Sequence, residues 1–554
     1  MLESAISENT DAMYRVFGVA AIAISVTLYA LYRYLLPKPI PGIPYNPSAL
    51  QSLFGDIPAM VKNCNSSPIR WMISQSQRRN TPVFQLFVTP FSKPLVIVSD
   101  FREAQDILMR RKEFDRSDWS IALLGGEAPN FHINLKMGPE WKGHRRLLQD
   151  LMTPRFLNGV AAPNIYSSAA CLVELWAAKA CVANGQPFSA EKDIYFAAFD
   201  AVIDFGFGEG LPYRALTPQL ELVRAMDKQA VQQARTLAGV SKPVNFAVAQ
   251  LHESFESFLA AGDLVEEIGK SGFTSFAWWW KSLQPQERRH KAARTEFLKQ
   301  QAFCAIKKLE NESDEDSETW VKSAIDLIMQ RERIFARKEG RDPVYWSQIM
   351  RDEDLWAAYS EALAEKRAPT YKEISMTKIP YLDAVIEEML RLGHTAPAID
   401  RQCTQDTMIL GHHIPAGTQV FLPNVGPSFT SLPLEIDESL RHETSQLAAK
   451  ERGARSWPLE DMDVFRPERW LVQDGEKGGE SYDSTTGPTI PFGLGTRGCF
   501  GRKLAYLELR LLVSLIVWNF ELLPCPKELS TFEYIEGITC RPRQCYVTLK
   551  KVTI

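Results

Sequence analysis

The most distinctive segment of the sequence lies near the C-terminus and reads Pro491-Phe-Gly-Leu-Gly-Thr-Arg-Gly-Cys-Phe-Gly501. Its glycines allow positive φ angles and let the backbone approach a flat ligand closely. Cys499 stands at the end of this loop, just before a helix predicted from about Gly501 to Phe520. Apolar residues recur along that helix at helical spacing. They are Leu504, Leu507, Leu511, Leu512, Leu515 and Ile516. Because backbone N–H groups and the helix dipole stabilise a thiolate at a helix N-terminus, the loop indicates a cysteine that can act as a ligand.

The pattern F-G-x-G-x-R-x-C-x-G, from Phe492 to Gly501, resembles the haem-binding loop of the cytochrome P-450 superfamily, the haem-thiolate monooxygenases. A Gly-rich turn around a buried cysteine would explain the glycines but not the Phe, Arg and Cys together. The resemblance implies haem b as the cofactor, with Cys499 as the axial thiolate ligand of the iron. Such a thiolate pushes electron density toward O–O cleavage. Phe492, Gly493, Arg497 and Gly501 are then expected to contact the haem, with Arg497 at a propionate.

A second element is Glu388-Met-Leu-Arg391, on a helix predicted to begin at Pro380 and end at Gly393. Glu and Arg three residues apart on a helix can pair, and such a pair alone is usually a surface ion pair. In the family the pair is buried and is joined by a second arginine from a later segment. Phe465-Arg-Pro-Glu-Arg-Trp470 resembles that segment, so the resemblance implies a structural network of Glu388, Arg391 and Arg469. Removing one partner of such a buried cluster leaves the others uncompensated.

Upstream, Trp141-Lys-Gly-His-Arg145 resembles the W-x-x-x-R helix of the family, whose indole N–H and guanidinium hold a haem propionate. Arg401 matches the position of another propionate partner, and a solvated arginine stays open as the alternative there. The adjacent pair His412-His413 suggests a metal site at first sight. Its place between Gly411 and Pro415 favours a turn instead.

Residues 16–36 are predicted to be a transmembrane anchor. Residues 16–32 carry no charge and lie between Arg15 and Arg33, and residues 34–36 extend the apolar run. A span needs about 20 mostly apolar residues. A cleaved signal peptide is the alternative, but the length and the aromatic flanks favour an anchor. Acidic residues precede the run and basic residues follow it, which predicts a lumenal tail at residues 1–15. The expected product is a single-pass protein of the endoplasmic reticulum whose catalytic domain faces the cytosol.

Residues 37–44 contain four prolines and are predicted to form a stiff, extended hinge. Residues 45–554 are predicted to form one haem-thiolate domain, mainly α with minor β, with early strands at 82–88 and 95–98. The composition, 45% hydrophobic and 23% charged with net charge −4, is that of a folded protein and gives no reason to expect nucleic acid as a partner. The nine cysteines form no C-x-x-C pair, which favours a reducing compartment.

One family element is not found. A long central helix carrying [AG]-G-x-[DE]-T, whose acid–alcohol pair relays protons to bound oxygen, should precede the E-x-x-R helix. In its place stand a charged helix predicted at 322–338 and a short helix predicted at 355–366. The join Met350-Arg-Asp-Glu-Asp354 is too polar for a buried helix. The sequence therefore predicts that the central helix is missing near 349–355, through exon loss, a misread gene or degeneration, and the catalytic pair is unknown.

The resemblance implies a membrane-anchored monooxygenase that inserts one oxygen atom of O2 into a small lipophilic substrate. Two alternatives stay open. The chain is a catalytically impaired haem-binding remnant or a truncated gene product, or it is a haem-thiolate isomerase or dehydratase that needs no external electrons. A carbon-monoxide difference spectrum separates the remnant from a haem enzyme. Dependence on NADPH and O2 separates the monooxygenase from the isomerase.

The expected electron donor is an NADPH-dependent flavoprotein reductase. A basic patch of Lys142, Arg146, Arg502 and Lys503 is predicted near Cys499 and suits an acidic partner, with ordinary surface charge as the alternative. Phe273, Phe276 and the run Trp278-Trp-Trp280 are predicted either to contact membrane lipid or to pack in the core. The overall layout, including an insertion from Pro427 to Glu460, resembles fungal secondary-metabolism members. This likeness favours a polyketide, terpenoid or alkaloid substrate over a fatty acid or sterol.

Overall fold

The fold was analysed in a computed structural model. It describes residues 2–64, 67–127, 131–208, 213–238, 242–311, 322–326, 367–452, 457, 459–473 and 480–552. The chain divides into two compact units. The sheet unit comprises Met1–Ser117 and Ala398–Ala454, and the helical unit comprises Asp118–Pro397 and Arg455–Ile554.

The sheet unit is built around a five-stranded mixed sheet. Its helices are α1 (Leu2–Leu35), α2 (Ile57–Asn63), α3 (Pro68–Arg79) and α4 (Phe101–Met109). Its first strands are β1 (Val83–Leu86), β2 (Leu95–Val98) and β3 (Phe114–Asp115). Its later strands are β5 (Ala398–Cys403), β6 (Thr407–Ile409), β7 (His412–Ile414) and β8 (Gln419–Pro423). The strand order is β1-β2-β8-β5-β3, and only β2 and β8 run parallel. Strands were predicted at 82–88 and 95–98, and β1 and β2 confirm them.

Helix α1 contains the predicted anchor. The stretch Phe17–Leu35 is long and apolar enough to cross a membrane, and none of it is buried within the protein. Pro154–Ala183 passes the same length and composition test but is 44% buried, so it is a core helix. Of the two stretches, only Phe17–Leu35 remains unburied by the described residues, so it is the candidate for a membrane span.

The proline-rich segment after α1 is held on the sheet by one buried glutamine. The Gln85 side chain accepts a hydrogen bond from the Ile40 N–H (2.8 Å) and donates to the carbonyls of Ile40 (2.9 Å) and Ile43 (2.7 Å). Proline removes backbone donors from this segment, so a side chain must satisfy several of its remaining polar groups. The predicted stiff spacer is thus fixed against β1 along the part that Gln85 contacts.

His412 and His413 lie on β7, directly after the tight turn that joins it to β6. Leu410 and Gly411 both have positive φ, 46° and 79°, as a two-residue hairpin turn requires. The His413 ring faces the exposed Asp406 carboxylate at 3.2 Å. The predicted turn is therefore formed by Leu410 and Gly411, and the two histidines lie on the strand that follows it rather than in the turn itself.

The helical unit is built mainly of helices. Its first five are α5 (Asp118–Gly125), α6 (Pro139–Leu148), α7 (Pro154–Phe156), α8 (Ala162–Ala183) and α9 (Glu191–Phe207). They are followed by α10 (Leu216–Arg224), α11 (Lys228–Ala238), α12 (Glu253–Lys270), α13 (Thr274–Ser282) and α14 (Pro285–Asn311). The later helices are α15 (Tyr371–Met376), α16 (Pro380–Gly393) and α18 (Arg502–Asn519). Helix α17 (Glu443–Arg452) belongs to the sheet unit, within the predicted insertion.

The strands of the helical unit are short. They are β4 (Phe188–Ser189), β9 (Leu471–Gln473), β10 (Glu480–Tyr482), β11 (Phe520–Leu523), β12 (Tyr534–Ile535), β13 (Arg541–Pro542) and β14 (Tyr546–Lys551). Strands β11, β14 and β4 form one sheet, while β9–β10 and β12–β13 pair as separate ribbons. The predicted class, mainly α with minor β, is confirmed by the described elements.

Helix α18 follows the cysteine loop and is packed in one of the two largest cores of this unit. Leu507, Leu511 and Leu515 are buried at successive turns, as the helical spacing predicts. They pack in a cluster with Phe156, Ile165 and Ile374 from α7, α8 and α15. The predicted E-x-x-R helix is likewise confirmed, because α16 spans Pro380–Gly393 as expected.

The predicted gap near 349–355 lies outside the described residues. So do most of the charged helix predicted at 322–338 and the whole helix predicted at 355–366. Of these stretches the structure describes only 322–326, where 324–326 are helical. The missing central helix therefore stays a prediction.

Candidate functional site

The cysteine loop has a tightly folded backbone. Gly493 and Gly495 have φ angles of 65° and 67°, which side-chain-bearing residues rarely adopt. A short 3-10 helix follows at Gly495–Arg497. The Cys499 N–H then donates to the Phe492 carbonyl over 2.6 Å, which closes the loop. Gly501 is the N-cap of α18, so the cysteine lies three residues before the helix begins.

The loop presents the Cys499 side chain to an open depression of about 480 Å³. Cys499, Trp141, Arg145, Met152 and Phe500 line this depression. The others are the predicted patch residues Lys142, Arg146, Arg502 and Lys503. The structure thus brings the cysteine, the W-x-x-x-R pair and the basic patch together in one place.

Two guanidinium groups converge on the indole ring of Trp141. The Cζ of Arg145 lies 5.7 Å and that of Arg497 lies 4.9 Å from the ring centroid. Arg497 also donates to the Leu135 carbonyl over 2.6 Å. Arg145 lies 5.0 Å from the Phe500 ring as well, so its position is fixed by two aromatic rings.

Arg145 is half-buried and forms no ion pair with a carboxylate among the described residues. Burial lowers the pKa of the Arg145 guanidinium, and the neighbouring charge of Arg497 lowers it further, against an opposing effect of the Cys499 thiolate. A half-buried guanidinium next to a second cation is stabilised when an anion lies beside it. This charge arrangement is suited to a carboxylate of a bound group.

The E-x-x-R glutamate is enclosed by donors. Glu388 is fully buried, and both of its carboxylate oxygens lie 2.8 Å from Arg391 nitrogens. Nε of Arg469 approaches Glu388 at 3.7 Å, and the Arg466 N–H donates to it over 3.0 Å. The structure therefore places the three predicted network residues side by side within the helical unit.

Two tryptophans complete this cluster and were not predicted. Trp470 is fully buried and its indole N–H donates to Glu388 over 2.9 Å. The ring of Trp457 lies between the guanidiniums of Arg391 and Arg469, 5.9 and 5.6 Å from their Cζ atoms. Burial raises the pKa of Glu388, but the arginine and the other donors outweigh it and hold the pKa below its usual value. Trp470 follows Arg469 directly in the sequence, and this adjacency was the one feature that could have predicted its place beside Glu388.

A third group was also missed. Glu387, next to Glu388 on α16, is fully buried and accepts hydrogen bonds from the phenols of Tyr482 (2.6 Å) and Tyr506 (2.5 Å). The Tyr506 ring lies 5.6 Å from the ring of Phe492 in the cysteine loop. Sequence offers no signal here, because the two tyrosines lie about a hundred residues beyond the glutamate.

Arg401 belongs to the sheet unit, within β5. It is 4% exposed, and its Nη1 donates to the Asp400 carbonyl over 2.8 Å. The alternative of a solvated arginine is therefore wrong, since the side chain is buried in its unit. Its predicted contact with a propionate stays a prediction.

The aromatic run on α13 is divided between core and surface. Trp278 packs beside Leu123 and Leu264 in a small core, and its indole N–H donates to the Leu123 carbonyl over 3.0 Å. Trp279 and Trp280 are 56% and 54% exposed, and Phe276 is 62% exposed. Core packing therefore applies to Trp278, while contact with membrane lipid stays a prediction for its exposed neighbours.

The family model for cytochrome P450 matches residues 352–426 and 457–549. The cytochrome P450 monooxygenase TRI13 of Fusarium sporotrichioides is 38% identical, over 96% of this chain and 98% of that protein. The cytochrome P450 monooxygenase xilC of Penicillium rubens is 34% identical, over 99% of this chain and 98% of its own.

A solved structure, the haem domain of a protein titled cytochrome P450DA, has the same fold. It superposes with a TM-score of 0.57 at 16% identity, covering 92% of this chain and 98% of that one. The family uses haem iron with a cysteine thiolate ligand, and the matched segments include the cysteine loop. The chain therefore belongs to the cytochrome P450 family and is an enzyme of its monooxygenase type.

Proposed function

We propose that this protein is a membrane-anchored haem-thiolate monooxygenase that inserts one oxygen atom of O2 into a small lipophilic substrate. The observation that supports this most directly is the position of Cys499. Its side chain is exposed at the end of a glycine-rich loop, facing a depression that also contains Trp141, Arg145 and Phe500. Haem needs one axial protein ligand, an apolar face and cations for its propionates, and this arrangement offers all three.

The residues around Cys499 fit a haem b group. Cys499 would bind the iron, and the absence of side chains at Gly493 and Gly501 would let the backbone of the loop approach the haem closely. Trp141, Arg145 and Arg497 would hold a propionate, because the half-buried Arg145 guanidinium has no carboxylate partner within the described chain. Bound haem supplies the oxygen activation, and the protein supplies the ligand, the propionate contacts and a dry site.

Glu388, Arg391 and Arg469 would act on structure rather than on the reaction. Their ion pairs, together with Trp470, join α16 to the segment before β9. Tyr506 links the neighbouring Glu387 to Phe492 of the cysteine loop. This network is expected to fix the loop, and with it the thiolate, in one position.

Electrons would come from an NADPH-dependent flavoprotein reductase. Lys142, Arg146, Arg502 and Lys503 line the same depression as Cys499, so an acidic partner docked there would approach the haem on its thiolate side. Electrostatic complementarity of this kind raises association rates more than it raises affinity.

The N-terminal segment is proposed to anchor the protein in the endoplasmic reticulum membrane, with residues 1–15 in the lumen, 16–36 in the bilayer and 37–44 as the hinge. The fully exposed apolar stretch Phe17–Leu35 supports this assignment. Mass spectrometry of the mature protein should find residues 16–36 retained. Their removal would instead favour the signal-peptide alternative. The exposed aromatic residues of α13 are proposed as a second contact with membrane lipid.

The substrate is proposed to be a polyketide, terpenoid or alkaloid intermediate of fungal secondary metabolism. The support is the likeness to monooxygenases of Fusarium and Penicillium over nearly the whole chain. Residues lining a substrate pocket are not assigned.

A second candidate is an inactive haem-binding product of an incomplete gene. Both alignments contain more positions than this chain has residues, 578 and 591 against 554, so both relatives carry stretches without a counterpart here. This agrees with the predicted loss of a central segment near 349–355, which would leave the oxygen-activating acid–alcohol pair absent.

The decisive experiment is a carbon-monoxide difference spectrum of the reduced, haem-supplemented full chain, beside Cys499→Ala and Cys525→Ala. Cys525 is a half-buried cysteine outside the loop and serves as the matched control. We expect the thiolate-type band in the wild type and in Cys525→Ala only. A colourless wild type, or a Cys499→Ala variant with an unchanged spectrum, would contradict the assignment. Consumption of NADPH and O2 with substrate then separates a monooxygenase from an isomerase or remnant.

A further inference from the structure

The end of helix α1 is fixed to the body of the sheet unit. The Tyr32 hydroxyl donates to the Gln51 carbonyl over 2.9 Å, and Gln85 holds Ile40 and Ile43 after the helix. The chain between these contacts therefore has little freedom. A membrane crossed by Phe17–Leu35 must lie within a few residues of this part of the protein.

A cavity of about 390 Å³ lies at this position, within the sheet unit. One wall consists of the last residues of α1 and the start of the proline segment, Tyr34 to Lys38 and Ile40. The lining also includes the turn between β1 and β2, Thr89 to Pro94, together with Phe87 and Gly55. Phe87 is held in place, because the Asp56 N–H donates to the Phe87 carbonyl over 2.8 Å and the Phe87 N–H donates to the Asp56 carboxylate over 2.9 Å.

The charged residues that line this cavity are both basic. Its lining includes Lys38 and Lys93 and, among the described residues, no aspartate or glutamate. Nζ of Lys38 lies 4.6 Å from the Tyr34 ring, and Nζ of Lys93 donates to the Ala416 carbonyl over 2.7 Å. Neither lysine forms an ion pair within the part of the chain that the structure describes. Lys93 also interacts electrostatically with the exposed Asp406 carboxylate, which lies outside the lining. Two cations in a lining that has no carboxylate among the described residues favour an anionic ligand.

The turn between β1 and β2 carries an apolar side chain outward. Phe91 has a φ of 60° and is 59% exposed. A bulky aromatic residue in the left-handed region is strained, and such strain persists where the surroundings impose it. Aromatic side chains are enriched at the level of lipid headgroups, and lysines there reach toward phosphates.

From these observations we propose that the cavity binds the headgroup of an anionic phospholipid of the membrane that α1 crosses. Lys38 and Lys93 contact the phosphate, and Phe91 enters the interface beside the acyl chains. The inference rests on the membrane anchoring proposed above. It adds a specific lipid site that orients the sheet unit against the bilayer.

The test uses the full chain with haem in nanodiscs of phosphatidylcholine that contain a phosphatidylserine carrying a diazirine on its headgroup. After illumination, peptide mass spectrometry locates the labelled residues. We expect labels in residues 34–40 and 87–94. Each basic residue near an anionic membrane surface contributes about 1 kcal/mol, so K38Q/K93Q should lower this labelling about tenfold or more.

K112Q/K450Q is the matched control, because it removes two exposed lysines of the same unit that do not line the cavity. It should leave the labelling unchanged. Labels confined to residues 17–35, or equal labelling of wild type and K38Q/K93Q, would overturn the lipid site while the anchor stands. Equal labelling of the cavity by a diazirine phosphatidylcholine would overturn the preference for an anionic lipid. A headgroup probe reaches only the ends of a helix that crosses the bilayer, so a second lipid with the diazirine in its acyl chain tests the anchor. An N-terminal helix that this second lipid leaves unlabelled would overturn the anchor and the site together.

Discussion

Single side chains at the proposed haem site have distinct contacts, which makes their roles separable. Arg145 is half-buried against the rings of Trp141 and Phe500, whereas its neighbour Arg146 is exposed on the same depression. Arg145 is therefore expected to hold the cofactor, and Arg146 to act only in docking the reductase. Adjacent arginines on one helix offer a matched pair for testing this difference.

Arg145→Gln should weaken haem retention. Charge-assisted hydrogen bonds contribute about 1.5–3 kcal/mol, so the rate of haem transfer to apomyoglobin should rise roughly tenfold to a hundredfold. Arg146→Gln should transfer haem at the wild-type rate. Equal rates for all three proteins would exclude Arg145 as a propionate ligand.

Tyr506→Phe should destabilise the cysteine loop. Burial and the Glu387 carboxylate raise the pKa of Tyr506, so its phenol stays protonated and donates to that carboxylate. Losing one donor to a buried carboxylate costs about 1–3 kcal/mol of unfolding free energy. Urea unfolding of the detergent-solubilised full chain measures this cost. Tyr546→Phe is the control, because no hydrogen bond of its hydroxyl is found in the structure, and it should match the wild type.

At the scale of elements, the short helix α15 is stabilised by hydrogen bonds at its N-terminus. Helix α15 begins with a capping box, in which the Thr370 hydroxyl accepts from the Glu373 N–H and the Glu373 carboxylate accepts from the Thr370 N–H. Arg367 adds two contacts to the same carboxylate, at 2.9 and 3.1 Å. Because Ile374 of this helix packs in the core that contains α18, the cap supports the helix that follows the cysteine loop.

The cap of α15 predicts a dependence of stability on pH. Burial raises the pKa of Glu373, but Arg367 and Thr370 outweigh it and lower the pKa from 4.5 to about 2. Since the folded-state pKa is depressed, its stabilisation is present above pH 4.5 and is lost as the pH falls toward 2. Glu373→Gln should therefore be less stable than the wild type at pH 7, by up to about 3 kcal/mol, and nearly equal to it near pH 2.

Denaturant unfolding at a series of pH values measures this difference. The exposed Glu528→Gln, whose side chain forms no ion pair in the described structure, should track the wild type at every pH. A stability difference between Glu373→Gln and the wild type that does not change with pH would contradict the role of this carboxylate.

The first turn of α18 and helix α6 together carry the basic patch. Arg502→Glu/Lys503→Glu should slow reduction of the haem by the reductase about tenfold at low ionic strength, because electrostatic steering controls association. High salt should remove most of the difference. Stopped-flow reduction measures the rate. Lys527→Glu/Lys551→Glu reverses two exposed charges elsewhere in the helical unit, and an equal slowing in this control would exclude a specific patch.

At the scale of the whole molecule, the chain is predicted to lack the central helix of the family near residues 349–355. The relatives carry residues that this chain lacks, and the predicted join at 349–355 is strongly charged. Sequencing of the transcript across these codons is expected to reveal an additional segment with the [AG]-G-x-[DE]-T pattern. A transcript without it would exclude a misread gene. The chain as it stands should then bind haem without coupling NADPH consumption to substrate oxidation.

Local patterns determined much of this protein. The cysteine loop, the helix after it, the E-x-x-R helix, the first strands and the apolar N-terminal stretch were all predicted from residues close together in sequence. These features depend on backbone geometry and helical or strand periodicity, which a short segment specifies by itself.

Only the tertiary structure decided which distant residues meet. Glu387 with Tyr482 and Tyr506, Trp470 at Glu388, and Gln85 on the proline segment join residues that lie 42 to 119 positions apart in the chain. Burial of a polar group requires a partner, but the sequence does not say which one. The cavity beside the end of α1 likewise depends on four separate segments, 34–40, 53–55, 87–94 and 415–418, and no local pattern encodes that meeting.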